Sequence, residues 1–229
     1  MTGEPVLSQP GTGVRFEWGL AGAAEFARTC AALVVVEVLT FTTDVETAVA
    51  VGSRVHPFPW PDQAAEFARR IAGSVAPARD GVADLVLPAP LGAAVVAAAA
   101  STGRPVLAAG LRNAHAAGAW LTAEGFGTPE RPVGVVAAGK RWPDGGLRPC
   151  AADLLGAAAV VDALSTGDAL LSVEAAVALA AYGAIPDVAA AVQGTVTARA
   201  LDPDTVARAT ALNVSPAVPL YRAGAFTQA

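Results

Sequence analysis

The sequence predicts an α/β fold, a three-layer α/β/α arrangement around a mostly parallel sheet. Segments such as ALVVVEVL at 32–39 and VGVVA at 133–137 are almost continuously apolar, which is typical of strands buried on both faces. Alanine-rich stretches of helical length lie between such segments, so strands and helices alternate along the chain. We therefore expect parallel strands joined by helices, with a ligand site at the carboxyl ends of the strands.

The elements follow in a regular order. An edge strand is expected at 14–18, and further strands at 32–39, 54–58, 85–87, 105–108, 133–137 and near 217–220. Helices are expected at 22–28, 43–51, 61–71, 91–100, 113–122, 150–164, 171–182, 187–191 and 204–212. The helix from residue 61 begins with proline, which favours the first position of a helix.

The chain length of 229 residues allows one large core or two smaller lobes. Residues 1–13 are interpreted as a flexible leader. A boundary in the glycine- and proline-containing segment 125–131 would give an N-terminal α/β lobe at 14–125 and a C-terminal α/β lobe at 126–229. The site would then lie between the lobes, and the two lobes could equally form one compact unit.

Composition narrows the class of protein. The net charge is −5 and no basic face emerges, which argues against a nucleic-acid partner. The longest uncharged stretch begins at Leu85 and is interrupted by Pro88 and Pro90, so a membrane span is not expected. The first residues lack the pattern of a secretory signal, and the two cysteines have no metal-binding spacing. We expect a cytoplasmic protein and leave its oligomeric state open, self-association included.

Charge is concentrated directly after one predicted strand. Only 15% of the residues are charged, yet Lys140, Arg141, Asp144 and Arg148 lie between the strand at 133–137 and the helix at 150–164. Arginine offers a planar fork of donors and lysine a point charge. Three cations at the carboxyl end of a strand therefore favour a small anionic ligand, most simply one with a phosphate or sulfonate group.

These residues also carry a resemblance. AGKRWPDGGLRP at 138–149, followed by DLLGA at 153–157, resembles the AG-E-RWPDGSLRP…EDLLGAG signature of the 2-phosphosulfolactate phosphatase (ComB-like) family. Four other segments are similar to family segments in the same order: VVVEVLTFTT at 34–43, LVLPAPLGA at 85–93, AGLRNA at 109–114 and NVSPAVPLYRAGAF at 213–226. The resemblance implies a Mg²⁺-dependent phosphatase of coenzyme M biosynthesis, which hydrolyses 2-phosphosulfolactate to sulfolactate and phosphate.

The resemblance also implies roles for individual residues. Glu37 and Asp153 would be the catalytic carboxylates and the Mg²⁺ ligands. The substrate would be bound by cations and by polar groups at strand-to-helix turns: Thr42, Thr43, Arg112, Asn113, Arg141 and Arg148.

Several of these residues also have a structural interpretation. A carboxylate within an apolar strand is costly unless it is paired, so Glu37 could instead form an ion pair, for example with Arg112. Thr42, Thr43 and Asn113 could cap helices. Asp153 in a first helical turn would favour the helix dipole without any catalysis.

The chain departs from the family pattern at several positions. Glu37 stands for the usual Asp and Lys140 for an acidic residue, Leu91 replaces an Asn, Ala152 replaces a Glu, and 193–196 lack the Arg and Glu of an SGRE segment. These losses of polar groups support an alternative hypothesis, a catalytically impaired family member that binds an anionic metabolite or a protein partner.

Overall fold

The computed structural model describes residues 5–77, 81–166 and 169–229, and this part of the chain has the predicted α/β fold. In chain order, its strands β1 to β11 are Val14–Trp18, Ala32–Val36, Arg54–Phe58, Ser74–Val75, Asp84–Pro88, Val106–Ala108, Val133–Ala137, Lys140–Arg141, Leu147–Arg148, Pro219–Arg222 and Ala225–Gln228. Its helices α1 to α9 are Gly19–Thr29, Phe41–Ala50, Ala64–Arg70, Pro90–Ala99, Ala114–Ala123, Ala151–Leu164, Val173–Gly183, Val188–Gln193 and Pro203–Thr210.

The central sheet has the strand order β1-β7-β2-β6-β10-β11-β3-β5-β4. Strands β1, β7, β2 and β6 are parallel to one another, and so are β3, β5 and β4. The C-terminal hairpin β10–β11 joins the two groups through antiparallel pairs. The mostly parallel sheet predicted from the apolar strands is therefore confirmed.

Helices cover both faces of the sheet, as expected for three layers. Along β2, Leu33 and Val35 pack in a cluster with residues of α1 and α4, whereas Val34 and Val36 pack in a cluster with residues of α5 and α6. All four side chains are fully buried. This explains why the segment is apolar throughout, since successive strand residues point to opposite faces.

The strands of the two predicted lobes share this sheet, because β7 lies between β1 and β2. The division into 14–125 and 126–229 stays a prediction. Of the predicted leader, residues 1–4 lie outside the described part of the chain. Gln9, also part of the predicted leader, is hydrogen-bonded to strand β1. Its side chain donates to the Phe16 carbonyl at 2.7 Å and accepts from the Phe16 N–H at 3.2 Å.

Three short elements and one terminal strand are not evident in the sequence. They are β4, β8, β9 and β11, and each is only two to four residues long. Strand β2 also ends earlier than expected, at Val36, so that Glu37 lies in the turn that precedes α2. No α-helix in the described ranges combines the length and the apolar character that crossing a bilayer requires.

Candidate functional site

Two neighbouring strands bring a carboxylate and an ammonium group together at one edge of the sheet. Glu37 follows the end of β2, and Lys140 lies shortly after the end of β7. These two strands are parallel, with Val36 opposite Ala137. The carboxyl ends of parallel strands meet at the same edge, so residues just beyond them become neighbours although 103 positions separate them in the sequence. We call Glu37, Lys140, Cys150 and Asp153 the strand-end cluster.

Glu37 is buried and forms an ion pair with one cation. Its Oε1 accepts from Lys140 Nζ at 2.7 Å, whereas Oε2 has no partner in the described part of the chain. A Cβ atom placed on Gly92 would lie 2.8 Å from that Oε2, so the first turn of α4 covers the carboxylate closely. Burial raises the pKa of Glu37, and the nearby Lys140 charge only partly offsets this. The ion pair considered from the sequence exists, but its partner is Lys140 and not Arg112.

Lys140 is bound by a carboxylate and by a backbone carbonyl. Its Nζ donates to Glu37 Oε1 and, at 2.8 Å, to the Leu39 carbonyl. Burial alone would lower the pKa of Lys140, but the Glu37 carboxylate, together with the charge of Asp153, outweighs it and the pKa is raised. An ammonium has three N–H donors, and two are used here. The side chain keeps 27% of its surface exposed, and the third donor has no protein partner among the described residues.

Asp153 connects the two strand-end turns and is completely buried. Its Oδ1 accepts from the Val38 N–H at 2.9 Å, and its Oδ2 accepts from the Gly139 N–H at 3.0 Å and from Cys150 Sγ at 3.1 Å. Burial, with a contribution from the Glu37 charge, raises the pKa of Asp153 to about 7. Burial next to this carboxylate also raises the pKa of the Cys150 thiol to about 12. Both oxygens of Asp153 are thus engaged in holding the fold.

The threonines of the β2–α2 turn use their hydroxyls on the backbone. Thr42 Oγ1 donates to the Glu37 carbonyl at 3.0 Å, and Thr43 Oγ1 donates to the Val38 carbonyl at 2.9 Å. Neither residue caps α2, because the N-cap position is Thr40 and both lie within the helix. Their hydroxyl protons are therefore directed to backbone carbonyls in this arrangement, and the role of these residues in substrate binding stays a prediction.

Arg112 points away from the strand-end cluster into an ion pair that sequence reasoning missed. Its Nε donates to Glu46 Oε2 and its Nη1 to the Arg208 carbonyl at 2.9 Å. Glu46 is 1% exposed, and its Oε1 has no partner in the described ranges. These groups line a cavity of about 740 Å³ against α2 and α9, which we call the Arg112 cavity. A single carboxylate on an otherwise ordinary helix gave no signal of this pair in the sequence.

Asn113 is structural. It stands at the N-cap position of α5, as the capping interpretation placed it, but its side chain makes no cap hydrogen bond. Instead Oδ1 accepts from the Gly110 N–H at 3.0 Å, and Nδ2 donates to the carbonyls of Ala108 and Ala217. The side chain is 1% exposed and fastens the turn after β6 to the segment before β10. A role in substrate binding is therefore not supported.

The hairpin β8–β9 carries the remaining predicted cations. The chain turns out of β7 at Gly139, whose φ of 71° suits glycine and whose added Cβ would lie 2.8 Å from Leu147 Cδ1. Asp144 Oδ1 accepts from the Gly146 N–H at 2.8 Å, so this residue forms the hairpin turn as expected. Arg148 stacks over the Trp142 ring at 5.1 Å, and Arg141 is exposed. The hairpin thus carries two arginines, and Arg148 is the strand partner of Lys140.

The carboxylates do not fit the implied Mg²⁺ ion. Mg²⁺ needs near-octahedral oxygen coordination. The oxygens of Asp153 accept N–H and S–H donors, and the Lys140 ammonium occupies the space beside Glu37 Oε1. Nowhere in the described residues do three His, Cys, Asp or Glu side chains come together in a group that could hold a metal ion. The prediction that Glu37 and Asp153 hold a metal is not supported by this geometry.

The chain matches no model of a known protein family, and no curated protein matches it. The resemblance to the 2-phosphosulfolactate phosphatase family therefore depends on the quoted segments alone.

Proposed function

We propose that this chain is a divergent member of the 2-phosphosulfolactate phosphatase family and that its strand-end cluster binds a small phosphate- or sulfonate-bearing anion without a divalent metal. The observation that carries the proposal is the Lys140 ammonium, which bridges Glu37 Oε1 and the Leu39 carbonyl where the family resemblance leads one to expect a metal. The position of Lys140 in a segment that resembles the family signature supports the same conclusion.

The cations around the cluster match a compact anion. Lys140 has one N–H donor left after its two hydrogen bonds, and the side chain is partly exposed. Arg141 and Arg148 follow on the adjoining hairpin, where Trp142 supports the Arg148 guanidinium. Charge-assisted hydrogen bonds of this kind are among the strongest that a protein offers to phosphate. A cluster with one free ammonium donor, adjoined by a hairpin that carries two arginines, suits a ligand with more than one anionic oxygen.

Most groups near the strand ends that could take part in hydrolysis are engaged in other contacts. Asp153 accepts three hydrogen bonds, and the Cys150 thiol, with a pKa of about 12, is a poor nucleophile. The Thr42 and Thr43 hydroxyls donate to backbone carbonyls. These contacts favour binding over turnover.

Hydrolysis of a phosphate monoester, with 2-phosphosulfolactate as the substrate implied by the resemblance, is the second candidate. One observation favours it: Glu37 Oε2 has no donor in the described ranges and its carboxyl has a raised pKa. A carboxylate of that kind can accept a proton from an attacking water.

One set of measurements separates the two candidates. Purified protein is titrated with inorganic phosphate by calorimetry and is incubated with 2-phosphosulfolactate in an assay for released phosphate. The proposal predicts phosphate binding and no release. The double variant Glu37→Gln/Lys140→Met removes both charges of the pair together and should weaken binding about tenfold or more, since a charge-assisted hydrogen bond contributes roughly 1.5 to 3 kcal/mol.

Exposed Arg104 provides the matched control, and Arg104→Ala should bind phosphate as the wild type does. Steady phosphate release that disappears in Glu37→Gln would establish the second candidate instead. Phosphate affinity that is equal in the double variant and the wild type would exclude the strand-end cluster as the binding site.

A further inference from the structure

The Arg112 cavity is separate from the strand-end cluster and has the size of a small-molecule site. Its volume of about 740 Å³ lies within the range of about 300 to 1,000 Å³ that is usual for ligand pockets. Helix α2 provides one wall, the end of β5 another, and Arg208 together with residues 214–216 a third. None of the residues of the strand-end cluster lines it.

Most of the wall in the described part of the chain is apolar. The contributing side chains include Ala48, Val82, Leu85, Leu87 and Pro216. Such a wall accommodates a hydrocarbon body and penalises a ligand that is charged over its whole surface. No aromatic side chain appears in this described lining, so nothing here provides a stacking platform for a nucleobase.

The main polar feature of the cavity is the Arg112 guanidinium, which is oriented by hydrogen bonds to the protein. Arg112 is fixed by Glu46 Oε2 and by the Arg208 carbonyl, which use two of its five N–H donors. Its side chain retains 17% exposure, whereas that of Glu46 retains 1%. Both residues border the cavity, but the positive group is the more accessible of the two.

The rim of the cavity carries a second, looser pair. Arg208 Nη2 lies 3.9 Å from Asp44 Oδ1, beyond hydrogen-bond distance, and the two side chains are 47% and 31% exposed. Asp44 Oδ2 accepts from the Thr40 hydroxyl at 2.6 Å, which fixes the carboxylate at the rim. Arg208 can thus turn toward a ligand without leaving a buried charge unpaired.

We infer that the Arg112 cavity binds a monocarboxylate with an apolar body, with the carboxylate on the Arg112 guanidinium, the body against the apolar wall and Arg208 at the entrance. A planar guanidinium matches the two oxygens of a carboxylate in a bidentate contact. Because Glu46 already neutralises much of the Arg112 charge, a ligand with one negative charge is better matched than a phosphate with two. This site does not depend on the function proposed for the strand-end cluster.

The test uses three probes of equal length, hexanoate, hexanamide and hexylamine, which are titrated into the full-length protein and followed by ligand-observed and protein-observed NMR. Hexanoate should bind at least about tenfold more tightly than hexanamide, since a charged bidentate contact is worth roughly 1.5 kcal/mol or more over a neutral one. Hexylamine should not bind. Equal or tighter binding of hexanamide or hexylamine would contradict the inference.

Two variants localise the binding. Ala48→Phe fills the cavity from a half-buried position and leaves Arg112 in place, so it should remove hexanoate binding while the protein stays folded. Arg112→Lys keeps the charge but loses the fork, and it should weaken hexanoate about tenfold. Undiminished binding in Ala48→Phe would place hexanoate elsewhere and overturn the inference.

Arg141→Ala on the hairpin is the matched control and should not change hexanoate affinity. Excess inorganic phosphate should not displace hexanoate. Displacement would mean that one site takes both anions, which would contradict the inference. If phosphate fails to bind anywhere while hexanoate binds as expected, the function proposed for the strand-end cluster fails and this inference stands.

Discussion

Two buried glutamates invite comparison, because each binds one cation with one oxygen and leaves the other oxygen without a partner in the described chain. Glu37 is 7% exposed and pairs with Lys140, and Glu46 is 1% exposed and pairs with Arg112. The pairs differ in the cation and in what surrounds it. Both cations also bind a backbone carbonyl, but Lys140 does so at the strand ends, whereas Arg112 borders a mostly apolar cavity.

The difference follows from the chemistry of the two cations. A lysine ammonium is a compact charge that can replace a metal ion among oxygen atoms. An arginine guanidinium is a flat fork that can bind a carboxylate behind it and a second acceptor in front. A buried glutamate is therefore paired with a compact ammonium in one region and with a planar, oriented guanidinium in the other.

The largest expected effect comes from reversing the charge at the strand ends. Lys140→Glu places a third carboxylate beside Glu37 and Asp153, and loss of the buried pair should lower the free energy of unfolding by about 3 to 5 kcal/mol. Millimolar Mg²⁺ should restore part of that stability, because Mg²⁺ bound by the carboxylate oxygens would then supply the positive charge that the ammonium supplied. Thermal unfolding with EDTA or with Mg²⁺ measures both effects.

Wild type and Lys140→Met serve as controls for this experiment, and Mg²⁺ should not raise the melting temperature of either. An equal Mg²⁺ response in all three proteins would mean that Lys140 does not stand in for a cation.

The second prediction compares the two acids directly. Glu46→Gln and Glu37→Gln each leave a cation without its counter-charge, and each should cost about 2 to 4 kcal/mol of unfolding free energy. Glu46→Gln should cost more, because Arg112 is less exposed than Lys140. Urea denaturation measures the order. The double variants Glu46→Gln/Arg112→Met and Glu37→Gln/Lys140→Met should recover much of each loss, and a loss that persists in both would point to packing instead of charge.

The third prediction concerns pH and belongs to the strand-end cluster. Burial raises the pKa of Asp153 to about 7, so the folded state holds a proton that the unfolded chain releases. Stability should therefore fall as pH rises from about 4 to about 7, by at most about 1.4 kcal/mol per pH unit. Urea denaturation across this window should show a flatter slope for Asp153→Asn. An unchanged slope would mean that Asp153 stays ionised throughout.

The smallest effect is expected at the hairpin. Arg141 is exposed, and solvent screens its charge. Arg141→Ala should weaken phosphate binding at the strand-end cluster only about two- to fivefold, corresponding to less than about 1 kcal/mol. Calorimetry measures the change, and a complete loss of phosphate binding would make the hairpin, and not Lys140, the main binding group.

The sequence predicted the part of the site that strand topology determines. Apolar runs located β2 and β7, and parallel pairing then placed Glu37 beside the charged segment at 140–148. The sequence did not predict which cation pairs with Glu37, since that depends on how far each cationic side chain extends from its own turn. Lys140 was visible as one of three cations for an anionic ligand and as a reversed charge, but not as the partner of Glu37.

Other features depend on contacts between distant parts of the chain. Asn113 donates to the Ala217 carbonyl, and Glu46 meets Arg112 across 66 positions, and no local pattern reports either contact. The hairpin β10–β11, which joins the two parallel groups of strands, is likewise a long-range arrangement. The threonine hydroxyls were assigned to a ligand because their position in a turn was evident, whereas the direction in which they donate was not.

The proposed function requires that the Lys140 ammonium take the place of a divalent metal. The most direct test is a calorimetric titration of wild-type protein with inorganic phosphate, once in EDTA and once in Mg²⁺. The account predicts the same affinity in both, because the Lys140 ammonium already holds the position between Glu37 and the Leu39 carbonyl. Binding that occurs only in the presence of Mg²⁺ would contradict it.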